Sequence, residues 1–319
     1  MNILITGITG LFGTQLAKEF TSLGKIFGLL RPEQSLDYTK FENQSITLRE
    51  GELEDFDALC DSLEGIDLVI HSAGLVSFSS DQKENLLAVN TEGTKNLVNA
   101  MLSKGVKKLV HVSSVAAIGR SAEFSTIDED FKWVESPLNT GYAVSKYLGE
   151  LEVWRAAQEG LDVIVVNPSI LLGKANYVKS SSAIYSYVIE ENPFYPTGDL
   201  NYIDLRDAAL ITRQLVQKEQ WGERFILNSN AISYQEFFQQ VADVFGEKAP
   251  SLPLKDWMIW MGSLWAWFGT KIGISKSPLN RQTALLAQQN ITFSNQKIQQ
   301  LLGFKFTPLR ETLEWAKNP

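Results

Sequence analysis

The chain has 319 residues, 44% hydrophobic and 21% charged, enough to bury a large core as one large or two moderate domains. A net charge of -8 argues against the basic face of a general nucleic-acid binder, and two histidines with one cysteine leave little for a His/Cys metal site, so none is expected. A lone Cys60 excludes an internal disulfide and points to a reducing compartment; with a strand from residue 2 and no basic leader, a cytoplasmic location is expected.

The apolar run Asn2-Ile3-Leu4-Ile5-Thr6 breaks into Gly7-Ile8-Thr9-Gly10-Leu11-Phe12-Gly13 and then into an amphipathic helix. A strand that reverses sharply into a helix needs a residue free to take positive φ, here Gly7. A backbone lying against a pyrophosphate suits Gly10, and close helix–strand packing suits Gly13. Gly7, Thr9, Gly10, Leu11, Phe12 and Gly13 are therefore candidates to cradle a dinucleotide, with free N–H groups and the positive dipole end at the helix start. Leu16, Phe20 and Leu23 follow at helical spacing, and Gly24 is placed to end the helix.

Residues 25–30 read as the second strand. About 20 residues past such a loop an NAD-preferring unit holds the ribose 2′-hydroxyl with an acid. Arg31 stands there instead, which fits the 2′-phosphate of NADP, with NAD the second option and a solvated Arg before Pro32 the bland alternative. Ile46-Thr47-Leu48 is a short third strand. Glu52 and Leu53 after it are placed to meet an adenine, although Glu54 and Asp55 also make this a helix start. Cys60 in that helix reads as a core thiol.

The apolar strand 66–70 opens into His71-Ser72-Ala73-Gly74, small residues that let the backbone approach a ligand; His71 reads as structural rather than as a substrate contact. Asn90 falls within a long helix whose apolar face carries Leu86, Leu87, Val89, Leu97, Val98 and Met101. A further strand, 107–112, ends in Ser113-Ser114. After a loop rich in Asp, Glu and Ser comes Gly141-Tyr142-Ala143-Val144-Ser145-Lys146, which puts Tyr142 and Lys146 on one helix face. A free phenol, pKa about 10, is a poor proton donor or acceptor near neutrality, and a neighbouring ammonium favours its phenolate.

Taken together, Thr6–Gly13, Gly51-Glu52-Leu53, His71–Gly74, Asn90–Thr94, Val112-Ser113-Ser114, Tyr142-x-x-x-Lys146, Asn167-Pro168-Ser169 and Tyr202–Asp207 resemble an extended short-chain dehydrogenase/reductase. The similarity lies within the NAD-dependent epimerase/dehydratase superfamily, nearest its dihydroflavonol-reductase and 3β-hydroxysteroid-dehydrogenase branch, and covers the first two thirds. It implies Tyr142 as acid/base, Lys146 lowering its pKa and holding the nicotinamide ribose, Ser114 orienting the substrate oxygen, and Asn90 in a hydrogen-bond relay. It also implies Ser72, Ala73, Gly74, Ser113, Asn167, Pro168 and Ser169 beside the cofactor, together with Tyr142 and Lys146. Gly173-Lys174-Ala175-Asn176 departs from the family's usual Gly-Pro-x-Asp, which leaves the loop over the substrate undetermined.

The expected architecture is α/β, a doubly wound parallel sheet of Rossmann type with a smaller C-terminal substrate-binding part. Residues 1–168 form the dinucleotide-binding domain, with 200–230 returning to it, and 169–319 are mainly substrate-binding. Leu254 to Phe268, with Trp257, Trp260, Trp265 and Trp267, is too short to span a bilayer and reads as a buried helix, a substrate lid or an interfacial helix. Scattered arginines after residue 170 and much aromatic surface favour an NADP(H)-dependent reductase of a small, partly apolar carbonyl compound, or the reverse alcohol oxidation. A nucleotide-sugar epimerase or dehydratase using bound NAD(P) is the first alternative, and a non-catalytic cofactor-binding regulator the second. The partner expected is a small molecule, with no nucleic acid and no stable membrane insertion; a homodimer stays open.

Overall fold

The computed structural model describes residues 1–34, 37, 46–174, 183–255, 257–258 and 281–318. Most of the Trp-rich run, and Ala175-Asn176 of the divergent loop, lie outside them. Every structural statement below concerns the described residues.

Strand β1 (Asn2–Thr6) is followed by α1 (Leu11–Phe20), β2 (Lys25–Leu30), β3 (Ile46–Glu50), α2 (Phe56–Ser62) and β4 (Leu68–His71). Then come α3 (Lys83–Leu87), a π turn (Ala88–Glu92), α4 (Gly93–Lys104), β5 (Lys108–Val112), α5 (Val115–Ile118), β6 (Thr126–Ile127), α6 (Gly141–Gln158) and β7 (Asp162–Pro168). Seven strands form one sheet in the order β11-β7-β5-β4-β1-β2-β3, where β11 is Glu223–Leu227, and every neighbouring pair is parallel. The order reverses between β1 and β4, so the loops leaving these two strands flank a crevice at the sheet's C-terminal edge. A doubly wound sheet binds its ligand at such a point.

Alternation along β1 shows how the sequence builds two layers: Ile3 and Ile5 enter one core with Leu16, Phe20 and Ile211, while Leu4 enters the other with Leu97, Met101 and Val153. Each such side chain, fully buried, contributes about 1.5–3 kcal/mol. Helices α1 and α8 (Leu205–Gln217) pack together on the first face; α2, α4 and α6 cover the second.

After β7 come β8 (Ile170–Leu172), α7 (Ala183–Ile189), β9 (Phe194–Tyr195) and β10 (Asp199–Asp204), and a second, three-stranded sheet sets β8 parallel to β10, with β12 (Asn230–Ser233) antiparallel on its other side. It shares a separate core with α9 (Tyr234–Phe245), through Tyr185, Tyr202, Phe237 and Phe238. The strand Thr292–Phe293 pairs with β6 and carries the buried Phe293 toward the end of α5.

Two helices differ from their sequence patterns. α1 stops at Phe20, with Leu23 in the turn beyond, and Gly24 serves close approach rather than termination: a Cβ there would stand 1.9 Å from the Met1 carbonyl oxygen. The long helix around Asn90 is three pieces, α3, the π turn and α4. The wide turn carries the extra residue that lets Asn90 point inward.

Candidate active site

The loop after β1 is built for close contact. Gly7 has φ +67°, and a Cβ on it would lie 2.6 Å from the Ala73 nitrogen; one on Gly13 would lie 2.1 Å from the Gly7 oxygen. The backbone is pinned by Gly10 N–H to the Gly7 carbonyl (2.9 Å) and by the Thr14 hydroxyl to the Ile8 carbonyl (2.9 Å). Gly10 caps α1 with no side-chain hydrogen bond, so the first N–H groups stay open to an anion. Thr9 and Leu11 are half-buried beside them, whereas the Phe12 ring is buried in the core and leaves only its backbone for a ligand. This cradle, which any Cβ would fill, fits a dinucleotide pyrophosphate. Arg31 is exposed at the C-terminal end of β2, beside β1 in the sheet. Glu52 is exposed and Leu53 half-buried in the turn before α2, where Asp55 caps the helix by accepting from Ala58 N–H at 2.9 Å.

On the other side of the crevice, Ser114 caps the short α5, its hydroxyl accepting from Ala116 N–H at 3.1 Å. Thr140 caps α6 in the same way, accepting from Ala143 N–H at 3.1 Å, and this fixes where Tyr142 and Lys146 project. The Ser114 side chain hydrogen-bonds Tyr142, which joins the end of β5 to the first turn of α6. Burial pushes the Tyr142 phenol above its ordinary value, opposed by that hydrogen bond and by the Arg120 guanidinium. Lys146 is buried and donates to the Val112 carbonyl at 2.9 Å. Burial holds its ammonium down to about 8, opposed by Glu150. The cation acting on the phenol in this structure is therefore Arg120, while Lys146 faces the end of β5. Phe78 packs edge-on against Tyr142, ring centroids 5.9 Å apart, and with Val76 leaves apolar surface exposed beside the phenol.

Beneath this pair lies a polar cluster. Glu150, 1% exposed, accepts from the Ser113 hydroxyl (2.7 Å), Asn167 Nδ2 (2.9 Å) and Trp154 Nε1 (3.2 Å), and forms an ion pair with Arg224 of β11. Asn167 also donates to the Ser114 carbonyl at 2.9 Å, so the cluster is tied to the residue that meets Tyr142. Pro168 ends β7, and Ser169 donates to the Leu227 carbonyl at 3.2 Å.

Asn90 is buried and spends its amide on Leu75 and Ser145: it accepts from Leu75 N–H (2.8 Å) and donates to the Leu75 carbonyl (2.9 Å) and the Ser145 hydroxyl (3.0 Å). Ser72 and Ala73 are half-buried and Gly74 exposed along this edge. A Cβ on Gly74 would come within 3.2 Å of Asn90 Oδ1 and 3.8 Å of Lys146 Nζ, so the two sides of the crevice meet here.

His71 is structural. Ala73 N–H donates to Thr6 Oγ1, which is 2.7 Å from His71 Nδ1; Thr94 Oγ1 donates to the Asn90 carbonyl and is 3.0 Å from His71 Nε2. The hydroxyl directions make Nδ1 the acceptor and Nε2–H the donor. His111, opposite it on β5, is also buried, with rings 5.3 Å apart. Burial, then the charge of Lys146, holds His71 down to about 3 and His111 well below its ordinary value.

Arg120, Glu150, Arg224 and Tyr234 belong to this region without having been singled out in the sequence. Glu150 was legible in the sequence, because it follows Lys146 by four residues on the same helix face. Arg120 and Arg224 carry no spacing signal. They arrive through strand order and through the loop after α5.

Residues 3–216 match the model of the NAD dependent epimerase/dehydratase family. A Synechocystis sp. protein named, provisionally, as a dihydroflavonol 4-reductase is 28% identical over 98% of this chain and 94% of its own. Cinnamoyl-CoA reductase 2 of Arabidopsis thaliana is 26% identical over 98% of this chain and 90% of its own. Among solved structures, that of gox2253 aligns with a TM-score of 0.83 and 29% identity, covering 98% of this chain and 96% of the other. The glycine cradle at the switch point and the match over two thirds of the chain lead to one conclusion: the chain belongs to the NAD dependent epimerase/dehydratase family, extended short-chain dehydrogenases/reductases whose members are NAD(P)-dependent oxidoreductases or epimerases.

Proposed function

We propose that the chain is an NADP(H)-dependent oxidoreductase that interconverts a carbonyl group and its alcohol on a small, partly apolar substrate. The observation that supports this reading is Ser114 at the end of β5 beside Tyr142 in the first turn of α6, with Lys146 one turn on donating to the Val112 carbonyl, across the crevice from the glycine cradle. A reduced nicotinamide cofactor whose pyrophosphate that cradle held would supply the hydride for the carbonyl carbon. Tyr142 gives its proton to the carbonyl oxygen, which Ser114 orients; in oxidation both transfers reverse. Because burial raises the Tyr142 phenol, its neutral acid form prevails at pH 7, which suits the reducing direction. Gly7, Gly10, Gly13 and the first N–H groups of α1 hold the pyrophosphate, Arg31 the 2′-phosphate, and Lys146 the nicotinamide ribose. Residues 1–168 with 200–230 carry the cofactor, and 169–319 mainly the substrate.

The same three residues serve a nucleotide-sugar epimerase, which needs cationic partners for a diphosphate in the C-terminal part. There, Arg206 is committed to Asp204 (2.6 Å), Arg213 to Glu19 (2.7 Å) and Arg224 to Glu150, which favours the reductase.

The test is NADPH oxidation with a panel of aldehydes and ketones, run beside thermal-shift assays with UDP-, GDP- and dTDP-sugars. Tyr142→Phe should lower kcat by about 10² or more with cofactor affinity nearly unchanged. Lys146→Met should damage both. Stabilisation by a nucleotide sugar with no NADPH consumed by any carbonyl compound would reverse the order of the two readings.

A further inference from the structure

Arg120 follows Gly119, which leaves α5 with φ +95° and lies against the Trp133 ring, where a Cβ would stand 3.1 Å from Cε3. The Arg120 backbone is fixed by its N–H donating to Asn139 Oδ1 at 3.0 Å. Its side chain runs inward, and the guanidinium carbon sits 5.4 Å from the centre of the buried Phe293 ring. The groups on which it acts electrostatically are two phenols, Tyr142 and Tyr234. Both are neutral at pH 7, since burial raises Tyr142 and takes Tyr234 to about 12.

No carboxylate is paired with this guanidinium among the described residues, in contrast to Arg155, Arg206, Arg213, Arg224 and Arg310. A half-buried cation facing aromatic rings has lost part of its hydration without gaining a counter-charge. The guanidinium lies over the face of the Phe293 ring, which attracts a cation but does not neutralise its charge.

We propose that Arg120 is the anion-recognition residue of the substrate site and that the substrate carries a carboxylate near its reacting carbonyl group. This rests on the reductase reading. The Arg120 N–H is held by Asn139, three residues before Tyr142, and its guanidinium lies over the Phe293 ring, which packs with Val115 next to Ser114, so an anion it binds lies close to the carbonyl oxygen, on the same small molecule. In a nucleotide sugar the diphosphate is separated from the reacting carbon by the sugar ring. Val76 and Phe78 expose apolar surface beside the Tyr142 phenol, which suits an apolar body for the rest of the substrate. The reaction is the one already described: hydride to carbon, the Tyr142 proton to oxygen, and the carboxylate unchanged.

The experiment compares wild type, Arg120→Gln and Arg120→Lys in two assays. In the first, calorimetry on NADP-saturated protein measures binding of 3-phenylpropanoate and of its methyl ester. In the second, kcat/KM is measured for oxo acids and their methyl esters. Wild type should prefer the free acid in both, and Arg120→Gln should weaken it at least about tenfold, the worth of one charge-assisted hydrogen bond. In the binding assay the esters should be unaffected, which also reports that the variant is folded; in turnover, where Arg120 acts on the Tyr142 phenol, acid and ester share one loss and the acid loses at least about tenfold more. Arg120→Lys should retain part of the preference. Equal binding of acid and ester by wild type, or equal losses for both in Arg120→Gln, would overturn the proposal. So would UDP-glucose binding that depends on Arg120 while the acids bind independently of it. Acid binding that depends on Arg120, with no oxo acid reduced, would keep the anion site and sink the reductase reading alone.

Discussion

Glu150→Gln tests whether the charge beneath Lys146 sets its protonation. The side chain keeps its size but loses its charge, and its new NH2 group faces the donors Ser113, Asn167 and Trp154. Two effects follow. Arg224, with a side chain only 21% exposed, loses its partner, and stripping one member from a buried pair costs about 3–5 kcal/mol. Lys146 loses the charge that favours its ammonium. At an effective dielectric of about 20, a unit charge one helical turn away, roughly 6 Å, is worth about 3 kcal/mol. Arg224 repels Lys146 before and after the substitution, so the difference stands at about two pH units, at 1.36 kcal/mol per unit. Lys146 loses its proton as pH rises through about 8, so the basic limb of kcat/KM should begin near there and move about two units toward acid in Glu150→Gln. The pH profile measures this, with thermal melting measured in parallel. The double variant Glu150→Gln/Arg224→Met removes both charges and should recover stability but not the original limb. An unmoved basic limb in a folded Glu150→Gln protein would refute the reasoning.

Two further outcomes are expected. Arg31→Glu should lower NADP(H) affinity by tenfold or more, about the worth of one charge-assisted hydrogen bond, and raise NAD(H) affinity; isothermal titration with both cofactors checks it, and unchanged affinities would mean that Arg31 is only solvated. Gly149→Ala should destabilise by about 1–3 kcal/mol although Ala is the better helix former, because its Cβ would lie 2.2 Å from the Asn90 carbonyl and push α6 off the π turn; a melting temperature equal to or above wild type would contradict this.

Much of the site was legible because its chemistry is local. The glycine loop is one turn between one strand and one helix, and Tyr142 and Lys146 share a face by helical spacing. Strands 25–30, 46–48 and 107–112 were visible as apolar runs and formed close to those bounds. What escaped is long-range. Glu150 meets Arg224 only because β11 joins the sheet beside β7, a pairing that no periodicity records. Arg120 carried no signal because the ring that receives it, Phe293, lies far along the chain. The π turn also escaped: a helix with one extra residue keeps an apolar face, so the pattern from Leu86 to Met101 read as continuous.

The buried histidine pair at the centre of the sheet makes this fold sensitive to acid. His71 and His111 are the chain's two histidines, and both are held neutral in the folded state. Unfolded, each takes up a proton below pH 6.5, and the folded protein does not follow until far lower, about pH 3 for His71. The unfolded chain therefore binds more protons across that window, and stability falls as pH falls, by about 1.4 kcal/mol per pH unit for each histidine. By pH 5 the pair alone removes on the order of 4 kcal/mol, a large part of an ordinary margin of 5–15 kcal/mol. Melting temperatures should be flat from neutrality down to about pH 6.5 and then drop steeply, and replacing His111 with a neutral residue of similar shape should halve that slope.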